Sequence, residues 1–306
     1  MFKKFFHGDK INRIGYVFIA PFFLVLLMFN VYPMLKSFYL SFTSWDGGIS
    51  SPKFIGLKNF VDLLHDSTFF QSIGNTFTMW IVSFIPQMVL ALLLAAILAD
   101  KFVKIRGKGF FRAVFYVPNL VTMATVGLLF YYILDTQSGS LNKVLLKLHI
   151  LSKAYEWLQD PVFAKLSISF ILFWMWFGYS MIIFMAGINA IPNELFEAGR
   201  VDGANKWSTF WHITLPSLKS SILYNIITSI IGGFTIFDVS YVLSGGLGAP
   251  LGSTLTTVNY MYNMTFKNWN AGYGAAIYTG LFVLIVIVVA VSFRIISNKF
   301  TRSEVN

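Results

Sequence analysis

The sequence contains no cysteine. Disulfide bonds, thiolate metal sites and cysteine nucleophiles are therefore excluded. Charged residues are also scarce, at 12% of the 306 positions, whereas a soluble domain carries about 25%. Hydrophobic residues make up 56% of the chain, and phenylalanine alone supplies 33 positions. This composition indicates an all-α membrane protein, in which most residues face lipid or other apolar helices.

The sequence also lacks the usual marks of an enzyme. Its four histidines lie in four different segments, and none has a second ligand at metal-binding spacing. They are His7, His65, His149 and His212. No Gly-x-x-x-x-Gly-Lys-Ser/Thr phosphate loop is present, because the glycine-rich stretch 248–254 has hydroxyl groups but no lysine. We therefore expect no metal site, no cofactor and no ATP hydrolysis in this chain.

Six apolar runs are each long enough to cross about 30 Å of hydrocarbon as a helix, which takes roughly 20 residues. They cover residues 14–33, 72–98, 113–134, 162–190, 220–243 and 274–296. The first is too long for the core of a signal peptide, and no small-residue cleavage site follows it. The sequence therefore predicts an N-terminal segment (1–13), a domain of six transmembrane helices (14–296) and a tail (297–306).

The predicted spans differ in their interruptions and connections. Pro118 and Asn119 interrupt the third span. Three polar loops, 34–71, 135–161 and 244–273, follow the first, third and fifth spans, and the second of them is expected to hold a short helix near 141–149. All three loops are predicted to lie on the same side of the membrane.

Lysine and arginine are distributed unevenly between the two sides of these spans. The side with both termini, the connection 99–112 and the segment between the fourth and fifth spans has 15 of them, and the other side has eight. Because cytoplasmic loops are enriched in lysine and arginine, both termini are predicted to be cytoplasmic. The same bias accounts for the net charge of +10 without a nucleic-acid partner.

Ionisable residues are almost absent from the spans. Asp238, in the outer third of the fifth span, is the only acid well inside one. Carriers driven by protons or sodium usually place ionisable groups at membrane depth. A secondary carrier therefore stays an alternative that the sequence disfavours, as does a membrane-embedded enzyme, and the energy for transport is expected to come from a partner.

The stretch 191–216 carries three acids and two bases between two apolar runs. It is predicted to form two short helices, with Pro192 in the first turn and Gly203 at the end of the first helix. Asp202 is placed to cap the second helix, and Pro216 to end it. One face of that helix is expected to carry Trp207, Phe210, Trp211 and Thr214. The pattern indicates an amphipathic element on the membrane surface that is available to a protein partner, or equally an ordinary interfacial loop.

This stretch resembles the EAA loop of the membrane subunits of ATP-binding-cassette importers. The resemblance rests on Glu197-Ala198-Gly199, on Asp202-Gly203-Ala204, and on Phe210, Ile213, Leu215 and Pro216. In that family the loop forms a coupling helix that docks into the ATPase subunit. The ATPase-coupling residues it implies are Glu197, Ala198, Gly199, Arg200, Asp202 and Gly203. Gly199 replaces the usual alanine, and glycine weakens a helix by about 1 kcal/mol.

The resemblance extends over residues 14 to about 296 and is closest to carbohydrate permeases of the maltose and glycerol-phosphate type. It is carried by residues 56–60, 75–76, 243–246 and 272–276. A departure is Leu247, where the family often has proline after the two glycines, with Pro250 displaced. The resemblance implies a multi-pass protein of the prokaryotic cell membrane that imports a sugar, or another solute such as glycerol phosphate.

The family resemblance also implies several partners. They are a second, homologous permease subunit in a heterodimer, two cytoplasmic ATPase subunits that bind ATP and magnesium, and an extracytoplasmic sugar-binding protein that meets the three polar loops.

The predicted substrate pathway uses polar, small and aromatic residues of the third, fourth and fifth spans. The family resemblance places the sugar site at Asn119, Phe177, Gly178, Met181, Thr228, Gly232 and Thr235. The residues themselves add Tyr179 and Asp238, since Asp238 extends the stripe of Thr228, Gly232 and Thr235 along one helix face. The alternative is close helix packing at Gly178, Gly232 and Gly233.

Overall fold

The computed structural model describes residues 10–100 and 106–301, and side chains within 15–100 and 106–296. The rest of the predicted N-terminal segment, of the basic connection and of the tail lies outside these residues. The described residues form helices joined by turns and loops, and their only β-type pairing is an isolated antiparallel bridge between Thr43 and Phe54. Five of its helices are apolar and long enough to cross a membrane, or six if one bent pair forms a single span. The all-α, multi-pass prediction is confirmed.

The chain forms two compact units. One consists of the described part of Met1–His65 together with Met264–Gly280. The other consists of the described parts of Asp66–Asn263 and Leu281–Asn306. The candidate site lies entirely within the second unit.

The first span begins with α1 (Lys10–Leu26), passes through a π-helical turn (Leu27–Val31) and continues as α2 (Tyr32–Leu40). The prediction that it ends at Pro33 is wrong. Pro33 lies in the first turn of α2, directly after the π-helical turn, and the helix continues past it. The side chains of the stretch Gly15–Leu40 are mostly exposed and form an apolar surface suited to lipid or a partner helix.

The loop after α2 is held by hydrogen bonds to its backbone carbonyl oxygens. The Asn59 carboxamide, on α3 (Lys58–Leu64), donates to the carbonyl oxygens of Ser41 at 2.9 Å and Thr43 at 2.8 Å. The Gly272 amide donates to the Trp45 carbonyl oxygen at 2.8 Å. A Cβ at Gly272 would lie 2.1 Å from the Thr43 carbonyl oxygen, so only glycine permits this approach.

The second unit is organised around α4 (Ser67–Ala99) and α8 (Pro161–Ala190), which pack along most of their lengths. Each begins at an aspartate whose carboxylate accepts backbone amides of the first turn, Asp66 for α4 and Asp160 for α8. The amides of Phe163 and Val162, with the Tyr155 hydroxyl, hold the pKa of Asp160 below its ordinary value. These caps fix where the two helices start, and α4 starts at Ser67 rather than at the predicted Ser72.

The third span is not a straight helix. It is formed by α5 (Lys108–Leu120) and α6 (Met123–Ile133), which meet at a bend of 92°. The Thr122 hydroxyl accepts the Thr125 amide at 3.3 Å and so starts a new helix after the break. Beyond it lies α7 (Ser140–Lys147), which confirms the short helix expected in this loop.

The remaining helices follow in chain order. The segment between the fourth and fifth spans forms α9 (Asn193–Val201), α10 (Lys206–Thr209), a π-helical turn (Phe210–Thr214) and α11 (Leu215–Ser217). The fifth span is divided into α12 (Lys219–Phe234) and α13 (Asp238–Ser244). After them come α14 (Thr257–Tyr262), another π-helical turn (Asn263–Lys267) and α15 (Ala271–Thr301). The sixth span, formed by α15, therefore extends beyond both ends of the predicted range 274–296.

Two buried clusters hold the second unit together. The larger joins α4, α6, α8, the fifth span and α15, and includes the fully buried Met79, Ile168 and Val239. The smaller joins the last part of α4 to the last part of α8 through residues such as Ala95 and Phe184, and also takes in Leu218. Leu218 directly follows α11, so the second cluster anchors the segment 191–216 to these two helices.

Candidate functional site

A cavity of about 450 Å³ lies between α4, α8 and the fifth span. From α4 it is lined by Trp80, Ser83 and Gln87, and from α8 by Trp176, Tyr179 and Ser180 among others. The fifth span contributes small and polar residues along its length, from Asn225 to Asp238. Hydroxyl groups, amides and aromatic rings therefore line one cavity between apolar helices.

The stripe predicted on the fifth span lies on this cavity. Thr228, Gly232, Thr235 and Asp238 all line it. The hydroxyls of Thr228 and Thr235 donate to backbone carbonyl oxygens of the preceding turn, at 2.8 and 2.9 Å, and keep a lone pair for a ligand. A Cβ placed on Gly232 would meet no atom within 4 Å. Gly232 therefore faces open space, and within this chain it does not serve close helix packing.

The neighbouring glycine has the opposite environment. A Cβ on Gly233 would lie 1.9 Å from Cδ1 of Trp80. The absence of a side chain lets the Trp80 indole lie against α12, where its Nε1–H donates to the Ser229 hydroxyl at 3.0 Å. Gly233 therefore permits close helix packing, as the packing alternative expects. Gly232 lies on the open cavity, where the pathway prediction places it.

Two side-chain hydrogen bonds tie α8 to the helices beside it. The hydroxyls of Tyr179 and Tyr224 lie 2.9 Å apart and join α8 to α12. The carboxamide of Gln87 donates to the Ser180 hydroxyl at 2.9 Å and joins α4 to α8. Both bonds hold polar groups in fixed positions on the cavity wall.

Four of the predicted pathway residues are not among those that line this cavity. Met181 is fully buried in the smaller cluster, and Phe177 is buried against Phe115, with ring centroids 5.9 Å apart. A Cβ on Gly178 would lie 1.9 Å from the Phe115 carbonyl oxygen, so this glycine permits close packing of α5 on α8. Asn119 is half-buried near the end of α5.

Sequence reasoning missed the contribution of α4. Trp80, Ser83 and Gln87 follow one another at i, i+3 and i+7, and so share a helix face. An aromatic, a hydroxyl and an amide at this spacing, in an otherwise apolar span, are a signal that could have identified the face. Ser180, Asn225 and Ser229 were also missed.

The segment 191–216 presents most of the predicted coupling residues on its surface. Glu197, Ala198, Arg200, Asp202 and Gly203 are exposed. Gly203 has φ +78°, the left-handed conformation expected after a helix end. The segment therefore offers charged and backbone groups to a partner.

Several details of this segment differ from prediction. Asp202 stands at the C-terminal end of α9, and the Asn205 side chain instead caps α10 by accepting the Ser208 amide at 2.8 Å. Pro192 directly precedes α9. Pro216 lies in α11, which ends at Ser217, one residue beyond the predicted end.

The glycine that replaces the usual alanine of the EAA loop has a packing role. A Cβ on Gly199, the half-buried member of the coupling set, would lie 2.8 Å from Cδ1 of Ile213. The missing methyl group therefore lets α9 approach the π-helical turn that follows α10.

A second groove, of about 620 Å³, lies between the end of α4 and this segment. The rings of Trp207, Phe210 and Trp211 lie next to one another, with centroids 5.4 to 6.3 Å apart. Trp207 is 67% and Trp211 46% exposed, whereas Thr214 is buried. Only part of the predicted face is therefore open to membrane or partner.

Within the residues that the structure describes, no group of three or more histidine, aspartate or glutamate side chains could hold a metal ion.

Comparison with known proteins places these features in a family. Residues 87–302 match the family described as "Binding-protein-dependent transport system inner membrane component". The lactose transport system permease protein LacF of Rhizobium radiobacter is 35% identical over 91% of this chain and 91% of its own length. The arabinooligosaccharides transport system permease protein AraP of Bacillus subtilis is 36% identical over 92% of this chain and 87% of its own.

A solved structure has a similar fold. It is described as a bacterial alginate ABC transporter in complex with an alginate pentasaccharide-bound periplasmic protein. Its matching chain aligns with a TM-score of 0.80 at 21% identity, over 93% of this chain and 94% of that chain. At this identity the likeness shows the fold alone.

Proposed function

Because the chain belongs to the family of inner membrane components of binding-protein-dependent transport systems, we propose that it forms one wall of the path by which an ATP-binding-cassette importer passes a carbohydrate. The chain is a multi-pass membrane protein of a transport system that relies on a binding protein. The observation that carries the carbohydrate proposal is the composition of the 450 Å³ cavity.

The cavity offers the two kinds of contact that a sugar needs. The rings of Trp176 and Tyr179 can cover the apolar faces of pyranose rings, and the hydroxyls of Thr228 and Thr235 can bond sugar hydroxyls. A site built to hydrogen-bond hydroxyl groups rejects analogues that lack them, because its buried polar groups are then left without partners. The relatives named for lactose and arabinooligosaccharides support the same substrate class.

The energy for import comes from two cytoplasmic ATPase subunits that bind ATP and magnesium. Their proposed contact is the exposed set Glu197, Ala198, Arg200, Asp202 and Gly203, with Gly199 shaping the helix beneath it. A carboxylate such as that of Glu197 forms strong charge-assisted hydrogen bonds with a basic partner. Both chain termini and this set then lie in the cytoplasm.

A second, homologous permease chain closes the path from the other side. Thr235 and Asp238 are exposed although they belong to an apolar span. A carboxylate facing lipid at membrane depth costs up to about 3 kcal/mol. A water-filled lumen shared with the partner chain removes that cost. An extracytoplasmic sugar-binding protein would deliver the substrate to the outer loops.

The test is to co-express the chain with its genomic neighbours, purify it and reconstitute the complex in vesicles. We expect an ATPase and a second permease to co-purify, and ATP-driven uptake of an oligosaccharide in the presence of the binding protein. Glu197→Lys should lose uptake while the chain remains folded. Glu194→Lys, which reverses an exposed acid of the same helix outside the proposed contact set, serves as the matched control.

Two results would contradict the proposal. A complex without an ATPase would exclude this class of importer. A Glu197→Lys complex that assembles and transports like the control would remove the proposed docking role.

A further inference from the structure

The cavity wall carries a single kind of charge. Among its lining residues Asp238 is acidic, and none is lysine, arginine or histidine. All other polar groups on the wall are hydroxyls, amides or the indole N–H of tryptophan. This chain's own contribution of full charge to the cavity therefore comes from one carboxylate.

That carboxylate is open to the cavity. Asp238 is exposed and is the first residue of α13, directly after the break in the fifth span. An acid in the first turn of a helix is stabilised by the helix dipole. No lysine, arginine or histidine shares the cavity wall with Asp238.

We propose that Asp238 makes this cavity selective for uncharged solutes and rejects anionic ones, such as uronic-acid oligosaccharides, sugar phosphates and glycerol phosphate. The inference rests on the proposed carbohydrate function and narrows its substrate class. Like charges repel, and low-dielectric walls focus the field of a fixed charge even in a water-filled cleft. Repulsion of the wrong ligand is a route to specificity. A neutral sugar does not experience this repulsion, and its hydroxyls can donate to the carboxylate.

The first experiment measures the charge of the cavity without any sugar. Trp176 lines the cavity, so the difference in fluorescence between the purified complex and its Trp176→Phe variant reports on this site. Iodide, an anionic quencher, should quench that component at least about twofold more in Asp238→Asn than in the unaltered complex. Caesium should quench that component less in Asp238→Asn than in the unaltered complex. Quenching by neutral acrylamide should be the same in both. Asp46→Asn, at an exposed acid of the outer loop, removes the same charge elsewhere and should change none of these values.

The second experiment measures selectivity with a matched pair of ligands. Galactobiose and digalacturonate differ in their C6 groups, which are hydroxymethyl in one and carboxylate in the other. The unaltered complex should bind digalacturonate at least about tenfold more weakly than galactobiose. Both affinities are measured without the binding protein, so that neither its own sugar site nor its contact with the outer loops contributes. Asp238→Asn should bring the two affinities to within about twofold, and Asp46→Asn should leave their ratio unchanged.

The outcomes separate the inference from the function on which it rests. Equal iodide quenching in the unaltered complex and in Asp238→Asn would overturn the inference, as would an unchanged affinity ratio. Failure of the complex to bind either galactobiose or a panel of other neutral oligosaccharides would overturn the carbohydrate function. In that case the quencher measurements would still report whether Asp238 controls the charge of the cavity.

Discussion

Lys206 donates from its Nζ to Oδ2 of Asp100 at 3.2 Å and so joins the start of α10 to the end of α4. Each residue has the wrong charge for its own helix end, because helix N-termini favour acids and C-termini favour bases. Each has the right charge for the end of the other helix. The pair therefore positions the proposed coupling segment relative to a helix that lines the cavity.

The first prediction is that this pair interacts with a measurable coupling energy. Lys206 is 80% exposed, and exposed ion pairs contribute about 0.2–1 kcal/mol. We expect Asp100→Lys and Lys206→Asp each to lower the melting temperature of the purified complex slightly. The double exchange should restore it, because both charges then suit their own helix ends. Strictly additive effects of the two substitutions would show that the pair has no positioning role.

The second prediction concerns the two adjacent glycines of α12. Gly232→Leu should leave the complex assembled but block sugar uptake, because the new side chain projects into open cavity space. Gly233→Leu should lower stability and the yield of assembled complex, because the side chain collides with Trp80. Overpacking of this kind costs about 1–3 kcal/mol or more. Thr235→Leu should behave like Gly232→Leu.

Assembly yield and uptake, measured on the same three preparations, test this assignment. Loss of assembly in Gly232→Leu would mean that this glycine packs against another helix in the complex. Normal uptake in both Gly232→Leu and Thr235→Leu would remove the stripe from the pathway.

The third prediction concerns the glycine in the EAA loop. Gly199→Ala should gain about 1 kcal/mol of helix propensity but push the end of the Ile213 side chain aside. Removing that terminal methyl group with Ile213→Val should relieve the contact. We therefore expect Gly199→Ala/Ile213→Val to be more stable than Ile213→Val alone in thermal unfolding. If Gly199→Ala destabilises the chain that already carries Ile213→Val, the approach of α9 to the π-helical turn depends on more than this methyl group.

The fourth prediction concerns orientation in the membrane. The chain has no cysteine, so an introduced cysteine can be labelled without background. A cysteine at Ser140, which is exposed in the loop between the third and fourth spans, should react with an impermeant maleimide in intact cells. A cysteine at Glu194, exposed on α9, should react only after permeabilisation. Reaction of the Glu194 site in intact cells would reverse the orientation inferred from the lysine and arginine distribution.

The sequence alone determined that the chain is an all-α, multi-pass membrane protein. Only helices satisfy their backbone hydrogen bonds within a single apolar segment, so long apolar runs with few charges leave no other local structure in lipid. The same local logic located α7 and the left-handed Gly203, because each depends on residues close in sequence. The EAA-like loop pointed to the transport family that the comparisons confirm.

Which small residues face the cavity and which pack against a neighbouring helix was decided only by the tertiary structure. The spans are apolar all round, so hydrophobic periodicity cannot distinguish a lumen face from a packing face. Gly232 and Gly233 are neighbours with identical side chains, yet one faces open space and the other receives the Trp80 indole. The angle of 92° between α5 and α6 likewise depends on how the chain packs in three dimensions. The sequence indicated only that Pro118 and Asn119 interrupt this span.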